Sequence, residues 1–474
     1  MSKECIKNKY SCRFPYQWAK TYNTNTAKTS LIRSVILALL AGFILRVGML
    51  YQNYPLWLDE AYIAHNLFSL SFTELTGALK YGQSCPMGVL WAMKITSYVL
   101  PTELGFRLIP FLSGLALLVL TPVVVWKATK SSRIAATATW LTALSPPLIF
   151  YTAQTKQYEI EALVALLVLF TASRASQPKK TYILLYPLLV LFSFSAPLLI
   201  AAEIISRFKL NIKKWAYGLP SFLAFCVVFV IQIRHFLGKQ ELVEFWQYGF
   251  PQPNDNLLVW TAMKFSELAG FVTGVNYPLF IFGILGAIAI SGIILLQGKL
   301  RTFALLVFCL AVLGAWLKLY PLEGRLSLYL FPLIILSMSV AIGKMKPLTN
   351  ICLLIIILMP MLTTAASWAL IHNSTHYVFK NTALPFQDIR SPMQDLISIK
   401  ARKVNVHRSA MPQAIVYKYI LQADLELETL DETSTGWAIS AVPIQGLEPI
   451  RSYGDSSLFF IAESQEHPSR VRSN

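Results

Sequence analysis

The sequence predicts an all-α polytopic membrane bundle of about eleven spans, with interfacial helices in the first exoplasmic loop and a small C-terminal α/β soluble domain. Three observations support this prediction. Charged residues make up only 14% of the 474 residues, whereas a soluble domain carries about 25%. Successive apolar runs have the length of about 20 residues that a hydrocarbon core of about 30 Å requires. Beyond residue 371 the hydropathy falls sharply.

The candidate spans follow one another with short connections. They are the apolar runs 31–52, 104–126, 133–151, 158–174, 181–194, 197–208, 214–234, 271–297, 302–320, 326–343 and 347–371. Ser193 to Pro197 interrupt the segment 181–208, so that one kinked span is an alternative to two short ones. The stretch 87–100 is short for a span and is expected to lie along the interface as an amphipathic or re-entrant helix.

Basic residues in the connections orient the bundle. The N-terminal tail is rich in lysine, and five later loops contain basic but no acidic residues: 127–133, 174–180, 207–214, 299–301 and 344–346. Such loops remain in the cytoplasm. All five loops are cytoplasmic only if 86–100 does not cross the membrane and 181–208 crosses it twice. A single kinked span at 181–208 would invert the orientation of every later span and loop.

This orientation defines the predicted domains of a multi-pass protein of the plasma (inner) membrane. The tail 1–30 is cytoplasmic, residues 31–371 form the transmembrane domain, and residues 372–474 form an exoplasmic, or periplasmic, soluble domain. The net charge of +17 would indicate a nucleic-acid partner in a soluble protein. Because the basic residues lie in short loops between apolar runs, we expect membrane lipids and no nucleic acid as partners.

The first candidate for chemistry is the pair Asp59 and Glu60, a few residues after the first span. Two carboxylates this close to the hydrocarbon edge cost solvation energy. They are able to deprotonate an acceptor hydroxyl, or to hold a divalent cation such as Mg²⁺ or Mn²⁺ against a phosphate. The alternative is an acidic pair that only ends a helix at the interface.

Two further candidates lie in short connections predicted on the same exoplasmic side. The turn after the third span carries Lys156, Tyr158 and Glu161, which are expected to face a polar cavity; the alternative is snorkelling at the interface. The connection before the tenth span carries Lys318 and Arg325.

The guanidinium of Arg325 has the planar fork of donors that grips a phosphate, although such a residue also anchors spans. Arg107, near the start of the second span, is a weaker substrate-binding candidate and more often a cavity or interface residue. We expect these side chains to converge in one pocket at the outer leaflet.

These segments, in this order and on this side, resemble the GT-C superfamily of polytopic glycosyltransferases, especially the protein O-mannosyltransferase and aminoarabinose-transferase families. The resemblance runs over 45–345. It comprises the acidic pair after the first span, a Pro-led interfacial helix at 85–91, the segment 103–110 that leads into the second span, the Lys-Gln-Tyr turn 156–158, and Gly324-Arg325 followed by Pro332.

The resemblance implies a polyprenyl-phosphate sugar donor and transfer on the exoplasmic side, usually with inversion, to a lipid, glycan or protein acceptor. Asp59 would be the catalytic carboxylate, as a base or as the ligand of a divalent cation, and Glu60 would support it. Glu161 would match a second acidic position, while Lys156 and Arg325 would hold the donor phosphate.

The chain departs from the family at three positions in and next to the turn. Many relatives carry Glu and Arg where this chain has Gln154 and Lys156, and Asp where it has Glu161; the lost charge at 154 weakens the expectation of a metal. Two alternatives stay open. A transporter or flippase of lipid-linked saccharides is favoured by Glu203 inside the broken segment, and a non-catalytic assembly protein would use 372–474 as a binding module.

Overall fold

The structure is a computed structural model that describes residues 14–461, apart from 175, 177–178, 209–210, 276–277, 371–386, 432–433, 443, 445–446 and 454–455. The side chains of 14–28, 212 and 347 are not described. The first half of the chain folds into nine helices among these residues: α1 (Phe14–Tyr51), α2 (Leu58–Ser69), α3 (Met87–Val99), α4 (Glu103–Thr129), α5 (Ser132–Leu144), α6 (Pro146–Thr152), α7 (Tyr158–Ser173), α8 (Tyr186–Phe192) and α9 (Ala196–Phe208).

The second half continues the bundle and ends in a small sheet. Its helices are α10 (Ile212–Trp215), α11 (Leu219–Ile231), α12 (Gln240–Phe245), α13 (Leu257–Thr273), α14 (Leu279–Leu295), α15 (Gly298–Trp316), α16 (Phe331–Gly343), α17 (Pro347–Leu370), α18 (Arg390–Ser398) and α19 (Met411–Ile420). Its strands are β1 (Lys403–Val406), β2 (Glu426–Thr429), β3 (Gly436–Ser440), β4 (Arg451–Tyr453) and β5 (Ser456–Ile461).

Six helical segments in the described part of the chain are long and apolar enough to cross a membrane: Thr29–Tyr51, Glu103–Thr129, Lys213–His235, Gly298–Trp316, Gly324–Gly343 and Leu348–Leu370. A seventh span results if α5 and α6, which are bent by 55° at Ser145, count as one. The predicted count of about eleven is not confirmed, because the helices at the other predicted positions have 17 residues or fewer.

The predicted span 271–297 is wrong in its first third. The chain turns at Gly274, where φ is +59° and a Cβ would come within 2.7 Å of Pro146, and a new helix, α14, begins at Leu279. Helix α13 (257–273) covers the last part of the predicted exoplasmic loop 235–270 and the first three residues of the predicted span. Lys264 and Glu267 lower the hydropathy of α13, and this concealed the helix in the sequence.

The broken segment 181–208 reverses its direction. The rings of Tyr182, before α8, and Phe208, at the end of α9, lie 6.0 Å apart, so both termini of the segment are at one end of the bundle. Its middle lies at the other end, where the position of a Gly88 Cβ is 2.8 Å from the Leu191 carbonyl oxygen. The two runs are therefore antiparallel rather than one kinked helix.

The first loop contains the short helices that the sequence predicts. In α3, Met87 to Leu90 are buried, whereas Tyr98 and Val99 are exposed. The Lys94 ammonium donates to the carbonyls of Leu67 and Leu70 and so caps the last turn of α2. This contact fixes α2 against α3.

The C-terminal α/β domain (described residues 387–461) is a five-stranded sheet in the order β2-β1-β3-β5-β4. Strands β2, β1 and β3 are parallel, whereas β3/β5 and β5/β4 are antiparallel. The sequence predicts a helix at 391–401 and a buried strand at 457–462; the structure has α18 at the first and β5 at the second. Helix α19 packs on α2, where the rings of Tyr419 and Phe68 stack at 4.5 Å.

Candidate active site

Asp59 lies at the centre of a cluster of charges from three distant segments. The first turn of α2 carries it, and its side chain is 17% exposed. Its Oδ1 lies 2.8 Å from the Nζ of Lys156, and its Oδ2 lies 3.2 Å from Nη2 of Arg325. The structure thus brings one predicted carboxylate and two predicted cations together, which leaves the cluster with a net positive charge.

The turn between α6 and α7 holds Lys156. Its backbone N–H donates to the carbonyl of Gln154 at 2.8 Å, which points the side chain back toward α2. The Lys156 ammonium donates to Asp59 and, at 2.7 Å, to the side-chain oxygen of Gln83 in the first loop. Burial lowers the pKa of Lys156 and outweighs the opposing effect of Asp59.

The Asp59 carboxyl is held in its charged form. Burial raises its pKa, but the charges of Lys156 and Arg325, with hydrogen bonds from Lys156 and Gln83, outweigh burial and hold the pKa below its usual value. A carboxylate flanked by two cations is a weak base until one of the cations finds another partner.

Arg325 lies in a cage of aromatic rings. Its guanidinium carbon is 5.4 Å from the ring of Trp57, 5.8 Å from that of Tyr158 and 5.3 Å from that of Trp246. Its Nε and Nη1 are buried and have no hydrogen-bond partner among the described residues. Because unsatisfied buried donors are costly, these two nitrogens are prepared for an acceptor that the protein does not supply.

Local structure explains why Arg325 lies there. It belongs to the 3-10 segment Gly324–Leu330 that leads into α16, and the combined helix 324–343 is the most buried of the candidate spans, at 89%. Gly324 has a φ of +39°, which favours glycine, and allows the chain to turn directly before the arginine.

Glu60 and Arg107 form a separate, closed ion pair on the other side of α2. Arg107 donates from Nε at 3.1 Å and from Nη2 at 2.8 Å to the two carboxylate oxygens of Glu60, and from Nη1 to the carbonyl of Tyr54. Glu60 also accepts the N–H of Thr155 at 2.7 Å. Glu60 is 0% and Arg107 2% exposed. The catalytic role predicted for Glu60 and the substrate-binding role predicted for Arg107 therefore fall on residues that already bind each other.

Two other predicted residues lie apart from the cluster. Glu161 is buried in the first turn of α7, where its Oε1 accepts the N–H of Phe194 at the reversal of 181–208. Lys318 is exposed on the connection after α15, with a φ of +55°. Tyr158, in contrast, contributes its ring to the cage around Arg325.

The residues around Asp59 do not fit a divalent cation. The described residues contain no group of three His, Cys, Asp or Glu side chains placed to bind a metal. Both oxygens of Asp59 already face cations, which would repel a metal ion at that position. The expected divalent cation stays a prediction, and no step below depends on it.

Sequence reasoning missed several members of this site. Gln83 lies in a polar stretch without any special pattern, but Trp246 lies in the aromatic stretch Phe245-Trp246-Gln247-Tyr248. One buried charge nearby, Arg46, was also missed. Arg46 lies inside α1 and donates to three backbone carbonyls, and the Glu159 carboxylate has no hydrogen-bond partner in the described structure. An arginine within an apolar run was the available signal for Arg46.

No protein-family model and no curated protein matches the sequence. Among solved structures, the chain is similar to ArnT from Cupriavidus metallidurans bound to undecaprenyl phosphate, with a TM-score of 0.59 and 11% identity over 94% of this chain and 100% of that one. The apo state of the same protein has a TM-score of 0.43 at 12% identity over 94% of this chain and 100% of that one, which is too low to support a conclusion. The first likeness shows that the chain shares the overall fold of that protein.

Proposed function

We propose that the chain is a glycosyltransferase that moves a sugar from a polyprenyl-phosphate donor to an acceptor on the exoplasmic side of the membrane. One observation carries the proposal: Asp59 lies between Lys156 and Arg325, and the arginine keeps two buried donors unused. The fold supports it, because the similar ArnT structure contains undecaprenyl phosphate.

The two cations suit the phosphate of such a donor. A polyprenyl-phosphate sugar is a phosphodiester with one negative charge, and loss of the sugar adds a second charge to the phosphate. Lys156 and Arg325 would bind the diester and stabilise the growing charge, as preorganised donors do best in a partly dry site. The bidentate geometry of Arg325 matches phosphate oxygens.

Asp59 would act as the general base. The acceptor hydroxyl oxygen attacks the anomeric carbon, the bond from that carbon to the phosphate oxygen breaks with its electron pair on the phosphate, and the hydroxyl proton passes to Asp59. Phosphate binding helps this step, because Lys156 and Arg325 then share their charge with the donor and hold Asp59 less firmly. Glu60 and Arg107 would serve as a rigid support for this turn.

The topology follows from the positive loops. We place the N-terminal tail in the cytoplasm and the C-terminal α/β domain on the exoplasmic, or periplasmic, side of the inner membrane. The shorter helices α7, α8, α9 and α14 would complete a count of about eleven crossings. The acceptor class, whether lipid, glycan or protein, depends on surfaces outside the charge cluster.

The transporter alternative loses the feature that favoured it. The Glu203 carboxylate pairs with Arg207 one turn further along α9, and Arg207 also donates to the carbonyls of Thr171 and Arg174 at the end of α7. This cluster lies at the end of α7 opposite to Lys156. Its contacts are those of a helix-end anchor.

A transfer assay tests the proposal. Membranes that contain the full chain are given a panel of polyprenyl-phosphate sugars, and release of polyprenyl phosphate is measured for the wild type, Asp59→Asn and the control Asp424→Asn, an exposed residue of the C-terminal α/β domain. We expect release by the wild type and the control but not by Asp59→Asn. Equal release by Asp59→Asn, or none by any protein with any donor, refutes the proposal.

A further inference from the structure

The connector between α1 and α2 (residues 52–57) is irregular and yet buried. Tyr54 is 3% and Leu56 0% exposed, and α2 begins after Trp57 without a side-chain cap. Buried backbone groups outside helices and sheets need partners from elsewhere. The connector also determines the site, since it presents Trp57 to Arg325 and leads directly to Asp59.

Arg107 of α4 serves the Tyr54 carbonyl, and the C-terminal α/β domain supplies the partners of Leu56 and Asn53. The N–H of Leu56 donates to the Tyr417 hydroxyl oxygen at 2.6 Å, and the Leu56 carbonyl accepts from the Gln413 amide at 3.4 Å. Arg390 donates to the carbonyl of Asn53 at 2.9 Å. Tyr417 and Gln413 are both fully buried, so water does not compete for either bond.

Two further contacts keep this domain on the bundle. Arg390, which opens α18, also pairs with Glu103 at the start of α4, at 3.1 Å. The rings of Tyr419 and Phe68 stack at 4.5 Å between α19 and α2. Helices α18 and α19 therefore contact the beginning and the end of the segment that contains Asp59.

We propose that the C-terminal α/β domain is a positioning element of the active site, and that Tyr417 and Gln413 are its positioning residues. By bonding to the backbone N–H and the backbone carbonyl of Leu56, they fix the start of α2 and thereby the position of Asp59 between Lys156 and Arg325. This inference rests on the proposed function. It assigns to this domain a role in the chemical step, in addition to any contact with an acceptor.

The role has a kinetic signature. Among the described residues, the polar and ring partners of the Lys156 and Arg325 side chains are Asp59, Gln83, Trp57, Tyr158 and Trp246, and none of them belongs to the C-terminal domain. The donor phosphate therefore keeps its ligands when Tyr417 loses its hydroxyl. The base, however, is displaced. A distant mutation that displaces a catalytic group by about 1 Å costs on the order of 100-fold in rate. The positioning role therefore lowers kcat and leaves the KM for the donor within about twofold.

The test uses the full chain in detergent or nanodiscs and compares Tyr417→Phe with Tyr453→Phe. The control removes the same hydroxyl from the same domain, but Tyr453 bonds to Asp395 within the domain and not to the connector. We expect kcat to fall by about 10- to 100-fold in Tyr417→Phe only. Wild-type kcat in Tyr417→Phe, or an equal loss in Tyr453→Phe, overturns the inference. Gln413→Leu replaces Tyr417→Phe if that variant does not fold.

Hydrogen exchange separates this inference from the proposed function. In Tyr417→Phe the Leu56 N–H has lost its acceptor, so peptides that cover 52–58 should exchange faster than in the wild type and in Tyr453→Phe. If the wild type transfers no sugar, the proposed function fails, and faster exchange still supports the hold on the connector. Unchanged exchange refutes that hold, whatever the activity.

Discussion

Asp59 and Glu60 are neighbours in the sequence, yet the two sides of the first turn of α2 are opposite in character. On one side, Glu60 is fully buried, and its oxygens accept from Arg107 and the N–H of Thr155. On the other, Asp59 is partly exposed and faces two cations, one of which has unused donors. A closed ion pair thus holds the turn in place, whereas an incomplete one leaves room for a ligand.

The energetics of the two sides differ accordingly. Loss of one partner from a buried ion pair leaves an uncompensated charge and destabilises by about 3–5 kcal/mol. When Asp59 is replaced, Lys156 keeps its hydrogen bond to Gln83 and Arg325 keeps its aromatic cage. Variants on the Glu60 side should therefore mainly reduce stability, and variants on the Asp59 side should mainly reduce activity.

The largest expected effect on activity belongs to Asp59→Asn. Loss of a general base costs roughly 10²- to 10⁴-fold in rate, and we expect kcat for sugar transfer to fall within this range. The temperature of unfolding in detergent should stay close to that of the wild type. A comparable loss of kcat in Glu60→Gln, when that protein is folded, would show that the two carboxylates act together in catalysis.

The largest expected effect on stability belongs to Glu60→Gln, which leaves Arg107 charged and buried. We expect a loss of about 3–5 kcal/mol in the free energy of unfolding, measured by thermal unfolding in detergent. The double variant Glu60→Met/Arg107→Met removes both charges and should recover most of the loss. No recovery would mean that the pair contributes more than compensation of charge.

The pH dependence should sharpen the contrast on the Asp59 side. Asp59 acts in its ionised form, and its pKa is held below the usual value, so activity should persist to mildly acidic pH and fall only as pH drops through that lowered pKa. In Lys156→Met, one of the two cations that lower the pKa of Asp59 is lost, whereas burial still raises it, so the pKa of Asp59 should rise. The acidic limb of the pH dependence of kcat/KM, which reports the pKa values of the free enzyme, should therefore move to higher pH. If the acidic limb does not move, a group other than Asp59 causes it.

The sequence predicted the Asp59 side better than the Glu60 side, for a physical reason. Asp59, Lys156 and Arg325 each lie at the edge of an apolar run, where a charge is costly and therefore conspicuous. Arg107 lies at such an edge too, but only the packing of α4 against α2 shows that its partner is Glu60. An ion pair between distant segments has no signature in the residue pattern of a single sequence, so it could not be predicted.

The fold shows the same limit. Long apolar helices such as α4 and α17 were predicted close to their observed bounds, because length and hydropathy define them. Helix α13 was missed because its charged residues Lys264 and Glu267 give the segment the low hydropathy of a loop. In the folded protein, Lys264 pairs with Glu267 and with the distant Glu323. Glu161, expected to bind substrate, instead bonds to the backbone at the reversal of 181–208, a contact between distant segments.

The smallest expected effect belongs to the cage around Arg325. Trp246→Leu removes one of three rings and a cation–π contact of about 0.5–1 kcal/mol at a partly exposed site. We expect the KM for the donor to rise about two- to fivefold, with little change in kcat, in steady-state transfer assays. Tyr248→Leu, which changes an exposed aromatic residue of the same loop, is the matched control. Equal effects of the two variants would contradict a specific role of the ring.

Binding of undecaprenyl phosphate to the purified full chain tests whether Asp59, Lys156 and Arg325 form a lipid-phosphate site. The wild type, Asp59→Asn, Lys156→Met, Arg325→Met and the exposed-site control Lys239→Met are compared by titration in detergent. We predict at least about tenfold weaker binding for the two cation variants, unchanged binding for the control, and equal or tighter binding for Asp59→Asn. Wild-type affinity in both cation variants, or loss of binding in Asp59→Asn, would contradict a lipid-phosphate site built around these three residues.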